Sequence, residues 1–162
     1  TGTGCIACAL AKRMPRLRVR ATDISPDALA LARQNARALG AEVEFLQADL
    51  LEGIGDSCMD LVVSNPPYVA SADCGRLDRT VRVFEPRLAL DGGPDGLRVI
   101  SRLVEEAARV LSSTGLLVME IGDDQAETAM EILCRKPQFK NQKLLFDYAG
   151  RARVVTGERT SR

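Results

Sequence analysis

The chain has 162 residues, of which 46% are hydrophobic, so it is long enough and apolar enough to bury the core of one domain and is not a disordered segment. Lys and Arg together number 22, as do Asp and Glu, and this zero net charge argues against a dedicated nucleic-acid binder. No apolar run is long enough to span a membrane, and the absence of histidine excludes imidazole acid–base catalysis and Ser-His or Cys-His nucleophiles.

Strand and helix patterns alternate in the first half of the chain. A strand is predicted over 18–23, and a helix follows it with Ser25 as N-cap, Pro26 at the first helical position and Gly40 as its stop. Further strands are predicted over 42–49 and 59–65.

The second half begins with a long segment, 69–94, that contains Gly and Pro and is expected to form an irregular functional loop. After it, the patterns predict a helix over 95–115, a strand over 116–122, a helix over 123–136, and two antiparallel strands joined by a tight turn at Gly150. The alternation predicts an α/β fold with a doubly wound, mostly parallel sheet, in one domain over 1–162.

Five scattered cysteines suit a reducing compartment better than a disulfide framework. Cys5 and Cys8 form a C-x-x-C pair, but there is no second pair and no histidine to complete a zinc site. Their spacing of three puts both on one face of a predicted helix, where we expect small core residues. We therefore predict no metal site.

A glycine-rich segment opens the chain. Gly2 and Gly4, followed by Ala7, fit the fingerprint of nucleotide-binding α/β folds, in which glycines allow a tight turn and a close approach of the backbone to a ligand. Asp23 ends the next strand, at about the 20-residue offset where an acidic side chain accepts hydrogen bonds from a ribose. The pattern predicts a ribose-bearing cofactor and leaves NAD and S-adenosylmethionine open. Asp49, at the end of the following strand, fits either an acceptor for an adenine amino group or a loop acid.

The segment Asn65-Pro66-Pro67-Tyr68 follows a buried strand directly. The prolines fix two φ angles and remove two backbone donors, so the Asn65 side-chain oxygen and the Pro66 carbonyl form a rigid pair of acceptors beside the flat Tyr68 ring. Two acceptors and a ring suit a planar amine or amide nitrogen, and positioning such a nitrogen against an activated methyl group supplies catalysis without metal or histidine.

These motifs resemble those of the HemK/PrmC family, the release-factor glutamine methyltransferases. The resemblance rests on six segments that run over the whole chain, namely 1–4, 22–36, 62–69, 84–97, 120–122 and 150–155. It implies a class I S-adenosylmethionine-dependent methyltransferase fold of the Rossmann-like type. The implied substrate is the glutamine of the Gly-Gly-Gln motif in peptide chain release factors.

The resemblance also implies roles for individual residues. S-adenosylmethionine would be bound by Thr1, Gly2, Thr3, Gly4, Asp23, Asp49, Leu50 and Asn65. The substrate amide would be held by Asn65, Pro66, Pro67 and Tyr68, with Asn65, Pro66 and Tyr68 as the catalytic residues. Leu50 stands where some relatives carry an aromatic residue, which implies weaker stacking on adenine.

Family members carry a strand before the glycine segment and an N-terminal helical domain, neither of which is found in this chain. The resemblance therefore implies a catalytic domain truncated at its N-terminus, with weak cofactor binding on its own. It also implies a monomer in the bacterial cytoplasm, or in an organelle if a transit peptide is missing, with no membrane or nucleic-acid partner.

Three other hypotheses about function also fit parts of the sequence. A methyltransferase acting on the adenine amino group of nucleic acids shares the Asn-Pro-Pro-Tyr motif, but should show a basic face or a target-recognition domain. A nicotinamide dehydrogenase accounts for the glycines and Asp23 only. A non-catalytic binding remnant would follow from the truncation.

Overall fold

The structure, a computed structural model, describes residues 1–160. The last two residues of the predicted domain, 161 and 162, lie outside that range. The chain divides into two compact units, the first over Thr1–Gly53 and the second beginning at Ile54. No helix of the described part is both long and apolar enough to cross a membrane.

The first unit contains two helices and a two-stranded parallel sheet. Its elements are α1 (Cys5–Arg13), β1 (Val19–Asp23), α2 (Pro26–Leu39) and β2 (Val43–Gln47), and β1 pairs with β2. The start of α2 is as predicted, since the Ser25 hydroxyl accepts a hydrogen bond from the Ala28 N–H at 3.2 Å and Pro26 is the first helical residue. Gly40 ends the helix with a left-handed backbone, as expected of a C-cap glycine.

The helices of this unit bury small side chains. Ala32 and Ala36 of α2 are buried with Leu29, and Ala7 and Cys8 are buried on α1. Cys5 is exposed, so the expectation that Cys5 and Cys8 share a buried face is wrong for Cys5, and all five cysteines are free thiols. Only one side of α1 is packed, and a separation of three residues on a helix leaves an angle wide enough to carry Cys5 outside it.

The second unit is built on a four-stranded sheet. Its strands are β3 (Met59–Ser64), β6 (Leu111–Glu120), β7 (Phe139–Phe146) and β8 (Ala152–Arg159), in the order β3-β6-β8-β7. β3 and β6 run parallel, while β8 is antiparallel to both of its neighbours. The predicted hairpin at Gly150 is confirmed, with β7 at the edge of the sheet and β8 inside it.

Helices α5 (Arg98–Val110) and α6 (Ala126–Cys134) complete the second unit. α5 buries one face, formed by Ile100, Leu103, Val104, Ala107, Ala108 and Val110. Full burial of each large aliphatic side chain contributes about 1.5–3 kcal/mol, so this face is a main source of the unit's stability.

The prediction of a helix over 95–115 is wrong at its end. α5 stops at Val110, and Leu111 already pairs with Met59 as the first residue of β6. The register then shifts so that Leu61 pairs with Leu116, and the residues between Leu111 and Leu116 form an irregularity with Thr114 at a φ of 73°. Gly115, the last residue of the predicted helix, belongs to this irregular part of the strand.

The segment 69–94 is more regular than predicted. It contains two short parallel strands, β4 (Val69–Ala70) and β5 (Asp91–Gly93), and two short helices, α3 (Arg79–Phe84) and α4 (Arg87–Leu90). The pairing of β4 with β5 brings the end of the Asn-Pro-Pro-Tyr segment against the glycines at 92 and 93.

Candidate functional site: a glycine loop and an amide clamp

The glycine loop of the first unit turns sharply before α1. The Gly4 N–H donates to the Thr1 carbonyl at 3.0 Å, and both Gly2 and Gly4 have positive φ, 56° and 78°. A Cβ on Gly4 would lie 3.0 Å from the Cβ of Ala32, whereas a Cβ on Gly2 would meet no atom within 4 Å. Gly4 is therefore required for packing against α2, and the backbone at Gly2 is open to a ligand.

The Asp23 carboxylate holds this loop. Its Oδ2 accepts hydrogen bonds from the backbone nitrogens of Thr1 and Gly2, each at 2.8 Å, and its Oδ1 accepts from the Ser25 N–H at 2.9 Å. Burial opposes ionisation, but the N–H groups that donate to the carboxylate outweigh it and hold the pKa of Asp23 below 3.8. The side chain is thus an ionised acceptor at neutral pH.

Asp49 and Leu50 lie in the turn after β2, and both are half-buried. The Leu50 carbonyl accepts a hydrogen bond from the Thr22 hydroxyl at 2.7 Å, which brings the turn next to the residue before Asp23. Leu50 has a φ of 49°, and the Asp49 carbonyl accepts from the Glu52 N–H at 3.0 Å. In this unit the structure therefore brings together the loop, the end of β1 and the turn after β2.

The amide clamp, defined as Asn65-Pro66-Pro67-Tyr68, belongs to the second unit. Asn65 follows the last residue of β3 directly and is exposed, whereas Pro66 is buried and Pro67 and Tyr68 are half-buried. The two prolines fix the backbone that follows the exposed Asn65 side chain.

Both ends of Tyr68 are held by residues that follow β6 or lie at its end. The Tyr68 carbonyl accepts a hydrogen bond from Gln125 Nε2 at 2.9 Å, and the Tyr68 hydroxyl donates to Glu120 Oε1 at 3.4 Å. Burial and the negative charge of Glu120 raise the pKa of Tyr68 above 10.0, against the opposite effect of Arg153, so the hydroxyl keeps its proton. Gln125 is itself buried, and its Oε1 accepts from the Gly122 N–H at 3.1 Å.

Glycines 92 and 96 let two backbone segments meet at the clamp. A Cβ on Gly92 would lie 2.8 Å from the Pro67 carbonyl oxygen, and a Cβ on Gly96 would collide with the Tyr68 carbonyl oxygen and lie 2.6 Å from Gln125 Nε2. The segment 91–96 thus packs its backbone directly against the backbone of Pro67 and Tyr68 in the clamp.

Asp91 fixes the start of that supporting segment. Its Oδ1 accepts from the Ser71 hydroxyl at 2.6 Å and from the Gly93 N–H at 3.0 Å, and these two bonds lower the pKa of Asp91 below 3.8. The same carboxyl group pairs with Arg87 of α4 at 3.3 Å.

Sequence reasoning gave Gln125 and Arg153 no role. Nothing in the local pattern distinguishes Gln125 from other polar residues at a helix start, so no signal was available for it. Glu120 and Arg153 lie in the segments 120–122 and 150–155 that carry the family resemblance, but the resemblance assigned neither of them a role. Within residues 1–160, no cluster of His, Cys, Asp and Glu has the arrangement to hold a metal ion.

Comparison with solved structures identifies the fold. The chain is similar to a methyltransferase from Pyrococcus furiosus, with a TM-score of 0.70 at 15% identity over 97% of this chain and 70% of that one. It is also similar to the E. cuniculi Mtq2–Trm112 complex, described as responsible for methylation of the eRF1 translation termination factor, with a TM-score of 0.67 at 24% identity over 99% of this chain and 81% of that one. The predicted fold class, a Rossmann-like α/β methyltransferase fold, is confirmed.

Comparison at the level of sequence is more specific. A profile of the family described as "Methyltransferase small domain" matches residues 1–86, and the chain belongs to that family. It is 48% identical to the release factor glutamine methyltransferase of Moorella thermoacetica over 98% of this chain and 56% of that protein. The same enzyme of Geobacter sulfurreducens is 46% identical over 83% of this chain and 47% of that protein. The chain thus spans about half the length of these curated relatives, and the resemblance seen in the motifs is confirmed.

Proposed function

We propose that the protein transfers a methyl group from S-adenosylmethionine to the side-chain amide nitrogen of the glutamine in the Gly-Gly-Gln motif of peptide chain release factors. The observation that carries this proposal is the amide clamp, in which the exposed Asn65 precedes two prolines, the Tyr68 carbonyl accepts from Gln125 and the Tyr68 hydroxyl donates to Glu120. The names of the relatives supply the identity of the amide.

The glycine loop fits S-adenosylmethionine. Asp23 is ionised and uses three acceptor positions on its own loop, and since a carboxylate offers about four, one is left for a ribose hydroxyl. The open backbone at Gly2 leaves space for a ligand. Thr1, Thr3, Gly4, Asp49 and Leu50 complete the proposed cofactor set. When bound, S-adenosylmethionine supplies a methyl group that its sulfonium centre has already activated.

The clamp then acts on the nucleophile. An amide nitrogen is a poor nucleophile because its lone pair is delocalised into the carbonyl group. We infer that the Asn65 side-chain oxygen and the Pro66 carbonyl accept the two N–H bonds, while Pro67 and the Tyr68 ring confine the amide plane. Holding the nitrogen in this way orients the lone pair and removes the entropic cost of finding the reactive geometry, an effect that reaches several kcal/mol. Because Asn65 is exposed, the proton released on methylation has a path to water.

An adenine amino group is also planar and offers two N–H bonds, so the clamp alone fits the adenine methyltransferases as well. The release-factor substrate is favoured because the similar curated enzymes are named for it and because the net charge of the chain is zero. We further infer that the protein is a monomeric enzyme of the bacterial cytoplasm, whose catalytic domain includes residues 1–162, and that it needs no metal.

The test is transfer of labelled methyl from S-adenosylmethionine by the full-length protein. Three acceptors are compared, namely a release factor, its Gln→Ala variant in the Gly-Gly-Gln motif, and duplex DNA. We expect label on the wild-type factor only, and a loss of about 100-fold in Asn65→Ala, in keeping with the cost of misplacing a reacting group. Gln34→Ala is the matched control, since it removes an exposed side-chain amide from α2. Label on DNA or on the Gln→Ala factor would contradict the proposal.

A further inference from the structure

We propose that Glu120 and Arg153 are positioning residues for the substrate amide, which they orient by fixing the Tyr68 ring of the clamp; this inference rests on the proposed function. Neither residue belongs to the Asn-Pro-Pro-Tyr motif, and neither is close to it in the sequence.

Strand register brings Glu120 and Arg153 next to each other, at the end of the sheet where β3 leads into the clamp. Ser64 pairs with Met119 in the parallel strands β3 and β6, so that Asn65 and Glu120 both follow at the carboxyl ends of neighbouring strands. On the other side of β6, Glu120 pairs with Val154 of β8, and the Ile121 N–H donates to the Arg153 carbonyl at 3.0 Å. Two neighbouring strands, β6 and β8, thus contribute one residue each to the surroundings of the Tyr68 hydroxyl.

Two side chains of opposite charge, Glu120 and Arg153, act on the Tyr68 hydroxyl. Glu120 Oε1 accepts from the hydroxyl, while the Arg153 guanidinium acts on the same group with the opposite sign. Arg153 donates to the Ile121 carbonyl at 3.4 Å and lies 4.0 Å from Asp147 Oδ2. The guanidinium thus has a partner in the residue that follows Glu120 and another in Asp147.

The backbone of Tyr68 is held separately. Gln125 bonds its carbonyl, and Gly96 packs on the same oxygen. Loss of Glu120 or Arg153 leaves these contacts in place, so the backbone remains fixed while the ring becomes free to rotate about its side-chain torsions. Substitution of Glu120 thus changes ring orientation without removing the clamp.

The contact between the Tyr68 hydroxyl and Glu120 is long for a hydrogen bond. At 3.4 Å it is longer than the usual 2.7–2.8 Å of an O–H···O bond, so it adds little to the stability of the free protein. Contacts of this kind in ligand-free sites are often long and tighten when substrate binds. We therefore expect the effect of Glu120 to appear in catalysis rather than in folding.

The first arm of the test needs no substrate. In the full-length protein with isotope-labelled tyrosine, the Tyr68 ring resonance is assigned by its loss in Tyr68→Phe and titrated by NMR, with the fully exposed Tyr148 as internal reference. Glu120→Gln should lower the pKa of Tyr68 and Arg153→Gln should raise it, because the two charges act in opposite directions. An unchanged titration in both variants would overturn the proposal.

The second arm is a double-mutant cycle on methyl transfer to a release factor. Glu120→Gln should lower kcat/KM for the factor about tenfold, with the KM for S-adenosylmethionine unchanged, and should cause no further loss in Tyr68→Phe. The control is Glu131→Gln, which removes an exposed carboxylate of α6 that pairs with Arg135 at 2.9 Å. An additive loss in an active enzyme would overturn the positioning role alone. A wild type that methylates no release factor would overturn the proposed function and this role with it.

Discussion

Gly4 combines a left-handed backbone with a buried position against Ala32, and either property alone would restrict the residue at this site. Gly4→Ala introduces a Cβ 3.0 Å from the Ala32 Cβ at a φ of 78°. Left-handed strain and crowding should together lower the free energy of unfolding by about 2–4 kcal/mol, as measured by urea denaturation.

Gly2→Ala is the matched control for that change. Its φ is 56° and the added Cβ meets nothing within 4 Å, so it should cost only the backbone strain, about 1–2 kcal/mol. Adding Ala32→Gly to Gly4→Ala should relieve the crowding and leave the strain, at a separate cost of about 1 kcal/mol for a glycine inside α2. Equal losses in the two alanine variants would show that contact with α2 contributes nothing.

Asp23 should make the stability of the first unit fall as the solution becomes strongly acidic. Its pKa is below 3.8 in the folded chain and near 3.8 when unfolded, so its contribution to stability is complete above pH 3.8 and is lost as the pH falls through the folded value. The stability difference between wild type and Asp23→Asn, followed by urea denaturation across pH, should therefore shrink on acidification below 3.8. A difference that stays constant over that range would contradict the hydrogen-bonding scheme of the loop.

At the scale of elements, the segment 91–96 packs closely against the clamp because Gly92 and Gly96 have no side chains. Gly96→Ala would place a methyl group on the Tyr68 carbonyl and against Gln125, at a φ of 75°. Because both partners are fixed, we expect a loss of about 2–5 kcal/mol in unfolding free energy, and a changed Tyr68 ring resonance.

Gly75→Ala provides the comparison within the same unit. Gly75 is exposed, and an added Cβ there meets nothing within 4 Å, so the change should stay within about 0.5 kcal/mol of wild type. Similar effects at both glycines would mean that the contact between this segment and the clamp is unimportant.

The boundary between α5 and β6 shows what local patterns miss. Residues 111–115 contain Ser, Thr and Gly and look like the end of a helix, yet Leu111 is fully buried and pairs with β3. The pairing depends on Met59, which lies far away in sequence, and no local propensity encodes it. By contrast, the start of α2 is set by Ser25 and Pro26 within one turn and was predicted correctly.

Across the whole molecule, features set by local sequence were predictable and features set by contacts between distant segments were not. The alternation of strands and helices, the hairpin at Gly150 and the Asn-Pro-Pro-Tyr segment at the end of a strand follow from periodicity and turn chemistry, and the sequence predicted them. The support of Tyr68 by Gln125 and Gly96 was not predictable, because it results from three chain segments meeting in space. The roles of individual site residues remain predictions that only experiment can test.

The proposed function depends on which nitrogen receives the methyl group. The most direct measurement is fragmentation mass spectrometry of a release factor incubated with S-adenosylmethionine and the full-length protein, with Asn65→Ala run in parallel. We expect one added methyl group on the side-chain amide of the glutamine in the Gly-Gly-Gln motif, formed about 100-fold more slowly with Asn65→Ala. A methyl group on any other residue, or equal methylation by the variant, would contradict the proposed function.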